Sequence, residues 1–333
     1  MRSFSYGSLA IHCFFIMVLS AVIVVAMNPV LYSSLPTIYL TDLQAFKTIF
    51  ISIILEAFPF MLLGVLVSSF MQVFISEKTI GRFIPSNPLM GVLFACVLGV
   101  IFPICECGLI PVIRRLMAKG MPLYIAVVFI FVGPIVNPVV FAATYTAFRN
   151  KPELVYSRMG LALLVGAVIG LIIYRWVRIN PLKNRFQMAG GSGHTHGSDG
   201  KLLTMFGHAA DEFFDMGKYL MFGSLIAASI QTFVPRSELM ELGQGGIGSH
   251  FFMMGLAYVL SLCSTSDAFV ASSFASTFSA GSILTFLVFG PMLDLKSTIM
   301  LGTVFRARFV VFLAAVLVGV VFIGSVLFET FLL

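Results

Sequence analysis

The chain has 333 residues, of which 59% are hydrophobic and only 10% charged, and its mean hydropathy is +1.04. A soluble domain carries about 25% charged residues, so a water-soluble enzyme or binding module is excluded. The net charge of +6 comes mainly from Lys and Arg in loops, where in a membrane protein it reports orientation and not nucleic-acid binding.

Runs of about 18 or more apolar residues read as membrane spans. The first covers residues 11–27, after Arg2. No small-x-small cleavage site follows, so it reads as a retained helix and not as a signal peptide. The second covers 46–75 and contains Lys47 and Glu56. The third, 88–112, runs into "PICECGLIPVIRR" at 103–115. The fourth, 122–148, contains "VGPIVNP", and the fifth covers 159–176. A polar loop follows, "RINPLKNRFQMAGGSGHTHGSDGK". The sixth covers 214–234, with Asp215 and Lys218. The seventh, 251–278, holds Cys263 and Asp267; the eighth, 283–301, reads through "FGPMLDLK"; the ninth covers 309–328.

The polar loop divides two similar halves. Glu56 and Gly64 match Asp215 and Gly223 at an offset of 159 (215 − 56), and Cys105 matches Cys263 at 158 (263 − 105). Gly133-Pro134 match Gly290-Pro291 at 157 (290 − 133), which sets Asn137 on Asp294. Rare residues in constant order indicate an internal duplication. Paired Gly/Pro interruptions of this kind point to a transporter's binding site.

Loop charge constrains the topology, because Lys and Arg prefer the cytoplasmic side. If 88–112 crossed the membrane, with the N-terminus inside, Arg114, Arg115, Lys119, Arg175, Arg178, Lys183, Arg185 and Lys201 would all face outside. If that segment enters from the cytoplasm, breaks at "CECG" and returns, all of them lie inside, with Lys78 and Arg82. With 251–278 re-entrant too, Arg306 and Arg308 stay inside, and the misplaced set is chiefly Arg149, Lys151, Arg158 and Arg236. Each half then makes an odd number of crossings, so the halves are inverted. The expected fold is all-α and polytopic, with about seven crossings and two re-entrant hairpins. The expected division is an N-terminal helix and loop at 1–44, repeats at 45–180 and 209–333, and a linker at 181–208.

The motif at 103–115 carries the chemistry. On a helix, residues i and i+2 point about 200° apart, whereas on extended backbone they share a side. Pro103 and Gly108 weaken the helix here, so Cys105 and Cys107 can converge. Two converging sulfurs suit soft ions such as Cu(I) or Zn(II), and trivalent arsenic. Cys13 and Cys96 read as small apolar packers. Glu106 is expected to point away from the sulfurs, and Arg114 and Arg115 to return the chain to the hydrated cytoplasmic surface.

Glu106, Asp267 and Asp294 sit in apolar segments, where a charge costs at least ~2.5–3.5 kcal/mol. They read as cation or proton sites, with pairing to Lys218, Lys296 or Arg306 as the structural alternative. Asn137 and Cys263, at equivalent breaks, complete the candidate set. His194 and His196, in the Gly/Ser-rich loop, are a flexible linker or a weak metal-gathering tract. No phosphate loop, zincin or kinase motif is present.

"FPICECGLIPVIRRLMAKGMP", "GPIVNPVV", "CSTSDAFVASSF" and "GPMLDLK", in that order, resemble the predicted permeases of the YraQ and YcgR type, relatives of ArsP-like organoarsenical efflux permeases. The resemblance covers nearly all of 46–328. It implies a multi-pass permease of the bacterial plasma membrane, without a cofactor, in a family whose members often pair with a small membrane partner protein. Its arsenical relatives imply a transport role for Cys105 or Cys107. The expected activity is efflux of a soft metal, metalloid or organoarsenical, and not catalysis; homo-oligomers fit such a protein. A non-transporting subunit of a two-component complex is the alternative. A thiol oxidoreductase is disfavoured by the C-x-C spacing.

Overall fold

The computed structural model describes residues 37–74, 84–85, 87–102, 105–177, 181–182, 201–233 and 246–332. The span expected at 11–27, with Cys13, and the loop histidines His194 and His196 lie outside the described residues. Within the described residues the chain is helical, and the only bridge recorded is an isolated antiparallel one from Leu182 to Phe305.

The first half contains α1 (Thr37–Phe74), α2 (Pro88–Ile101), α3 (Glu106–Ala118), α4 (Leu123–Val132), α5 (Pro138–Ala147) and α6 (Pro152–Trp176). The second contains α7 (Lys201–Phe233), α8 (Gly246–Leu260), α9 (Ser266–Ser273), α10 (Ala280–Met292), α11 (Leu295–Val304) and α12 (Ala307–Phe331). In each half a long helix, four short ones and a 25-residue helix follow in the same order. α7 starts inside the stretch assigned to the linker at 181–208.

Local sequence explains the breaks. Asn87 caps α2, with Pro88 in its first turn, and Asn137 caps α5, with Pro138 in its first turn. Proline is pre-organised for a first turn, and Asn accepts from an orphan N–H there. Asp294 and Ser279 cap α11 and α10 in the same way. The spans expected whole at 122–148 and 283–301 are therefore each two helices. Gly133-Pro134 interrupts the first, and the second stops after Pro291 and restarts at Asp294. Apolar composition alone hid these interruptions.

Close glycine contacts fix the helix directions. A Cβ on Gly91 would come 2.8 Å from the Tyr124 ring, and one on Gly99 would come 2.7 Å from the Gly133 Cα. The paired positions advance together, so α2 and α4 run the same way, and α3 between them brings the chain back. Each arm of this hairpin is about 20 Å long at 1.5 Å per residue, too short for a hydrocarbon core of ~30 Å. In the second half, His250 meets Thr285 at 2.9 Å and Ala257 lies opposite Gly290. α8 and α10 thus run in parallel, with α9 and its following turns as the return.

Among the described residues, four stretches are long and apolar enough to cross a membrane: Asp42–Gln72, Pro152–Trp176, Ala280–Val304 and Ala307–Phe331. α1 exposes Leu55, Phe58, Leu62 and Leu63, which suits a lipid-facing surface. The halves interlock: α1 packs on α7, α3 on α11, α9 on α5, and α6 on α12.

α1 seats the hairpin arm α3 along its length. Ser68 Oγ donates to the Pro111 carbonyl at 3.2 Å, and Lys119 Nζ to the Met71 and Gln72 carbonyls at 2.5 and 3.0 Å. At the other end, a Cβ on Gly64 would lie 2.5 Å from the Gly108 Cα. Helices in lipid gain little from burial as such and rely on close contact between small residues. Gly64→Val is expected to push α3 away and cost at least ~1–3 kcal/mol. Thermal unfolding in detergent should show a clear fall for Gly64→Val and none for Gly255→Ala, whose added Cβ meets nothing within 4 Å.

Candidate functional site

The hairpin of the first half turns at Cys105. This residue is the N-cap of α3 in extended conformation (φ −72°, ψ 168°), whereas Glu106 and Cys107 are already in the first helical turn. Both cysteines are buried. Convergence was expected from two cysteines on extended backbone; only Cys105 is extended, and Cys107 is helical.

The N-terminus of α11 faces them. Asp294 Oδ1 accepts from the Ser297 N–H at 2.6 Å, and Ser297 Oγ accepts from the Asp294 N–H at 3.1 Å, a reciprocal cap. Lys296 follows in the first turn. Its Nζ donates to the Ser261 carbonyl at 2.9 Å and lies 3.6 Å from Glu106 Oε1 and 3.5 Å from Asp294 Oδ2. Ser261 ends α8 in the left-handed region, with φ 47°, uncommon for a residue with a Cβ. Its hydroxyl accepts from the Leu295 N–H at 3.2 Å. Cys107 and Cys263 are close enough to Lys296 to interact with it electrostatically.

Glu106, Asp294 and Lys296 are 2%, 1% and 3% exposed. Two acids therefore share one ammonium group out of water. Glu106 Oε2 and Asp294 Oδ2 are buried without a hydrogen-bond partner. A buried polar atom left in this way is costly unless a proton or ligand satisfies it.

Beside this cluster lies a closed ion pair. Arg158 on α6 donates through Nη2 to both oxygens of Asp267, at 3.0 and 2.8 Å, and to the Ser264 carbonyl at 3.1 Å. Its Nη1 donates to Thr144 Oγ1 at 2.7 Å. Glu56 Oε1 accepts from Ser266 Oγ at 2.6 Å, tying α1 to the start of α9.

Of the seven expected site residues, Glu106 and Asp294 lie within 4 Å of Lys296. Asp267 is held by Arg158 instead. Asn137 is a cap, its Oδ1 accepting from the Val140 N–H at 2.9 Å and its Nδ2 donating to the Pro134 carbonyl at 3.2 Å. Among the described residues, no three His, Cys, Asp or Glu side chains are grouped to hold a metal ion; Cys105 and Cys107 are a pair. Lys296 entered the sequence reading as one of the possible pairing partners for the acids, and it lies beside both Asp294 and Glu106. Arg158 read as a misplaced loop charge together with Arg149 and Lys151; those two are exposed, whereas Arg158 is buried. Arg114 and Arg115 are not at a hydrated surface. Arg114 is buried and paired with buried Glu212, and Arg115 Nε lies 3.6 Å from the same carboxylate.

Removing one member of a buried ion pair strands the other and costs ~3–5 kcal/mol. Arg158→Leu and Asp267→Leu are each expected to lower the melting temperature in detergent sharply. The double variant should recover most of that loss; a double variant that loses the sum of both would show that the two side chains act independently.

No solved structure matches the chain. A protein named YcgR, of the UPF0718 group, from Bacillus subtilis (strain 168), is 48% identical over 285 residues, covering 84% of this chain and 96% of the relative. A protein of Streptococcus mutans serotype c, named as a two-component membrane permease complex subunit, is 37% identical over 263 residues, covering 79% of this chain and 87% of the relative. The family model ArsP_1, described as "Predicted permease", matches residues 42–330. With its long apolar helices, the chain is a multi-pass membrane protein and belongs to this family of predicted permeases.

Proposed function

We propose that the chain is an efflux permease whose substrate, a soft metal, metalloid or organoarsenical species, binds where the interrupted helices meet. The observation that carries this reading is the buried set of Cys105, Cys107, Glu106, Asp294 and Lys296, in which Glu106 Oε2 and Asp294 Oδ2 accept no hydrogen bond. Thiolates are good ligands for soft ions and hydroxyls are poor ones. An incoming cation neutralises the surplus acid, and a proton does the same when the substrate leaves. Unwound backbone at this depth is tolerated where it lines a cavity or is buried in protein.

Alternating access follows from inverted repeats at 45–180 and 209–333, joined by 181–208. The same helix order in both halves and the two parallel-arm hairpins support this. Counting the expected helix at 11–27, α1, α4 with α5, α6, α7, α10 with α11, and α12 gives about seven crossings, each near the length a bilayer requires. The name of the 37% identical relative favours one second reading, in which the chain transports only with a small membrane partner.

Three outcomes test the proposal. The purified chain in proteoliposomes should accumulate at least one of methylarsenite, arsenite, zinc or copper(I), and Cys105→Ser with Cys107→Ser should reduce that uptake by about tenfold or more, as expected when a hard ligand replaces a soft one. Unimpaired uptake by the double variant rejects the thiol site. Transport seen only after a partner is added replaces the permease reading with the subunit reading. For the repeats, single cysteines at Lys119 and Ser276, in a cysteine-free background, should react with impermeant reagents from opposite faces of the membrane; labelling from one face rejects the inversion.

A further inference from the structure

Away from the centre, the open end of the second half holds a histidine–carboxylate pair in a cavity. Ser249, His250, Thr277, Ser279 and Glu329 line a space of about 470 Å³. The His250 side chain is 4% exposed and that of Glu329 33%. Gly281 makes room for the carboxylate: a Cβ there would come 2.6 Å from the Glu329 Cβ. The corresponding place in the first half, at the start of α4 and the end of α6, is also hollow, at about 500 Å³, but is lined by Ile84, Leu123, Tyr124 and Tyr174 and carries no such pair. The polar pair is therefore not a requirement of the scaffold.

Hydrogen-bond accounting sets its protonation. His250 Nδ1 lies 2.9 Å from Thr285 Oγ1 and 3.2 Å from Ser325 Oγ. Each hydroxyl also has a carbonyl within reach, Thr285 Oγ1 that of Gly281 at 2.9 Å and Ser325 Oγ that of Phe322 at 3.0 Å. A hydroxyl has one proton to give, so when both donate to these carbonyls Nδ1 is the donor. A neutral imidazole has only one N–H, which leaves a lone pair on Nε2, 2.9 Å from Glu329 Oε2. Two lone pairs do not face each other at that distance. One further proton lies between them, on the imidazole or on the carboxyl.

We propose that His250 and Glu329 form a proton-binding pair, a cation site separate from the thiol–carboxylate centre. The proton enters from the cavity, reaches the part-exposed Glu329 and is held against the buried imidazole. Ser261, which holds Lys296, is on the same helix run, about 16 Å further along at 1.5 Å per residue, so the two sites can be occupied independently. Among the described residues, other charges are remote. α10 carries no titratable side chain, and α12 has only Arg308 besides Glu329, at its opposite end. The charged residues of α7 run from Lys201 to Lys218, whereas the helix meets the end of α8 through Gln231, whose Nε2 donates to the Leu260 carbonyl. On α8 itself the other titratable group is Tyr258, two turns on.

The test is a proton count on the full chain in lipid nanodiscs. Between about pH 5 and about pH 8, the range in which histidine changes charge, the wild type should release about one proton per chain more than Glu329→Gln or His250→Gln. The amide introduced by Glu329→Gln can donate to His250 Nε2 and remove the need for the extra proton, so that variant should stay folded; His250→Gln gives a second count if it does not. Cys105→Ser with Cys107→Ser should leave the count unchanged. Equal release by the wild type and both variants overturns the proposal. So does a nitrogen NMR spectrum of labelled histidine that places the sole imidazole proton on Nε2 across that range.

Discussion

Lys296 is the charge on which the centre depends. It is buried, and moving an ammonium group out of water costs several kcal/mol unless partners compensate. Three arrive from three elements: Glu106 from α3, Asp294 from the cap of its own helix α11, and the Ser261 carbonyl from the end of α8. Each partner requires its helix to stop at that depth. A continuous α8 would keep the Ser261 carbonyl in its own hydrogen-bond ladder, and a continuous α2–α3 would carry Glu106 past the lysine. The interruptions and the charge cluster are therefore one feature, each tolerable in an apolar interior because of the other.

The same constraint explains the small residues. Short arms give little contact area, so they must approach closely. Gly64 against Gly108 and Gly99 against Gly133 bring backbones to distances that any side chain would prevent, and Gly170 admits the side chains of Val92 and Val128. Gly223 plays this part for Lys296, whose Cα would lie 3.0 Å from an added Cβ. Gly64 and Gly223 hold the same position in the repeat, but their partners differ: one seats a hairpin arm, the other the start of α11.

Much of this was legible in the sequence because the informative residues are rare there. In an apolar chain, "CECG", "GPIVNP" and "GPMLD" stand out, and each marks a helix end in the structure. The count of loop cations pointed to hairpins, and parallel arms at α2/α4 and α8/α10 agree with that shape. Pairings between distant positions were not legible. Glu106 with Lys296, Arg158 with Asp267 and Arg114 with Glu212 are separated by 190 (296 − 106), 109 and 98 residues, and nothing local specifies them. The breaks inside 122–148 and 283–301 were marked by their Gly/Pro residues, but hydropathy averages over a short interruption and left each run as one span. His250 was overlooked because a lone histidine in "GIGSHFFMMG" has no local partner; Glu329 comes from the far end of the chain.

Likeness of scaffold does not make the two halves chemically alike. Asn137 and Asp294 occupy equivalent caps and accept from the same turn position of their helices. Asn137 spends its second group on the Pro134 carbonyl within its own loop. A carboxylate cannot donate, so Asp294 Oδ2 has no such use and turns to Lys296. At the hairpin tips, the first half supplies Cys105, Glu106 and Cys107, whereas the second supplies Cys263 and then Asp267, which Arg158 closes off. One tip thus offers two sulfurs and an acid with an unpartnered oxygen, and the other a single sulfur. The two halves follow the same order of interrupted helices but carry different polar residues at positions that match in the sequence.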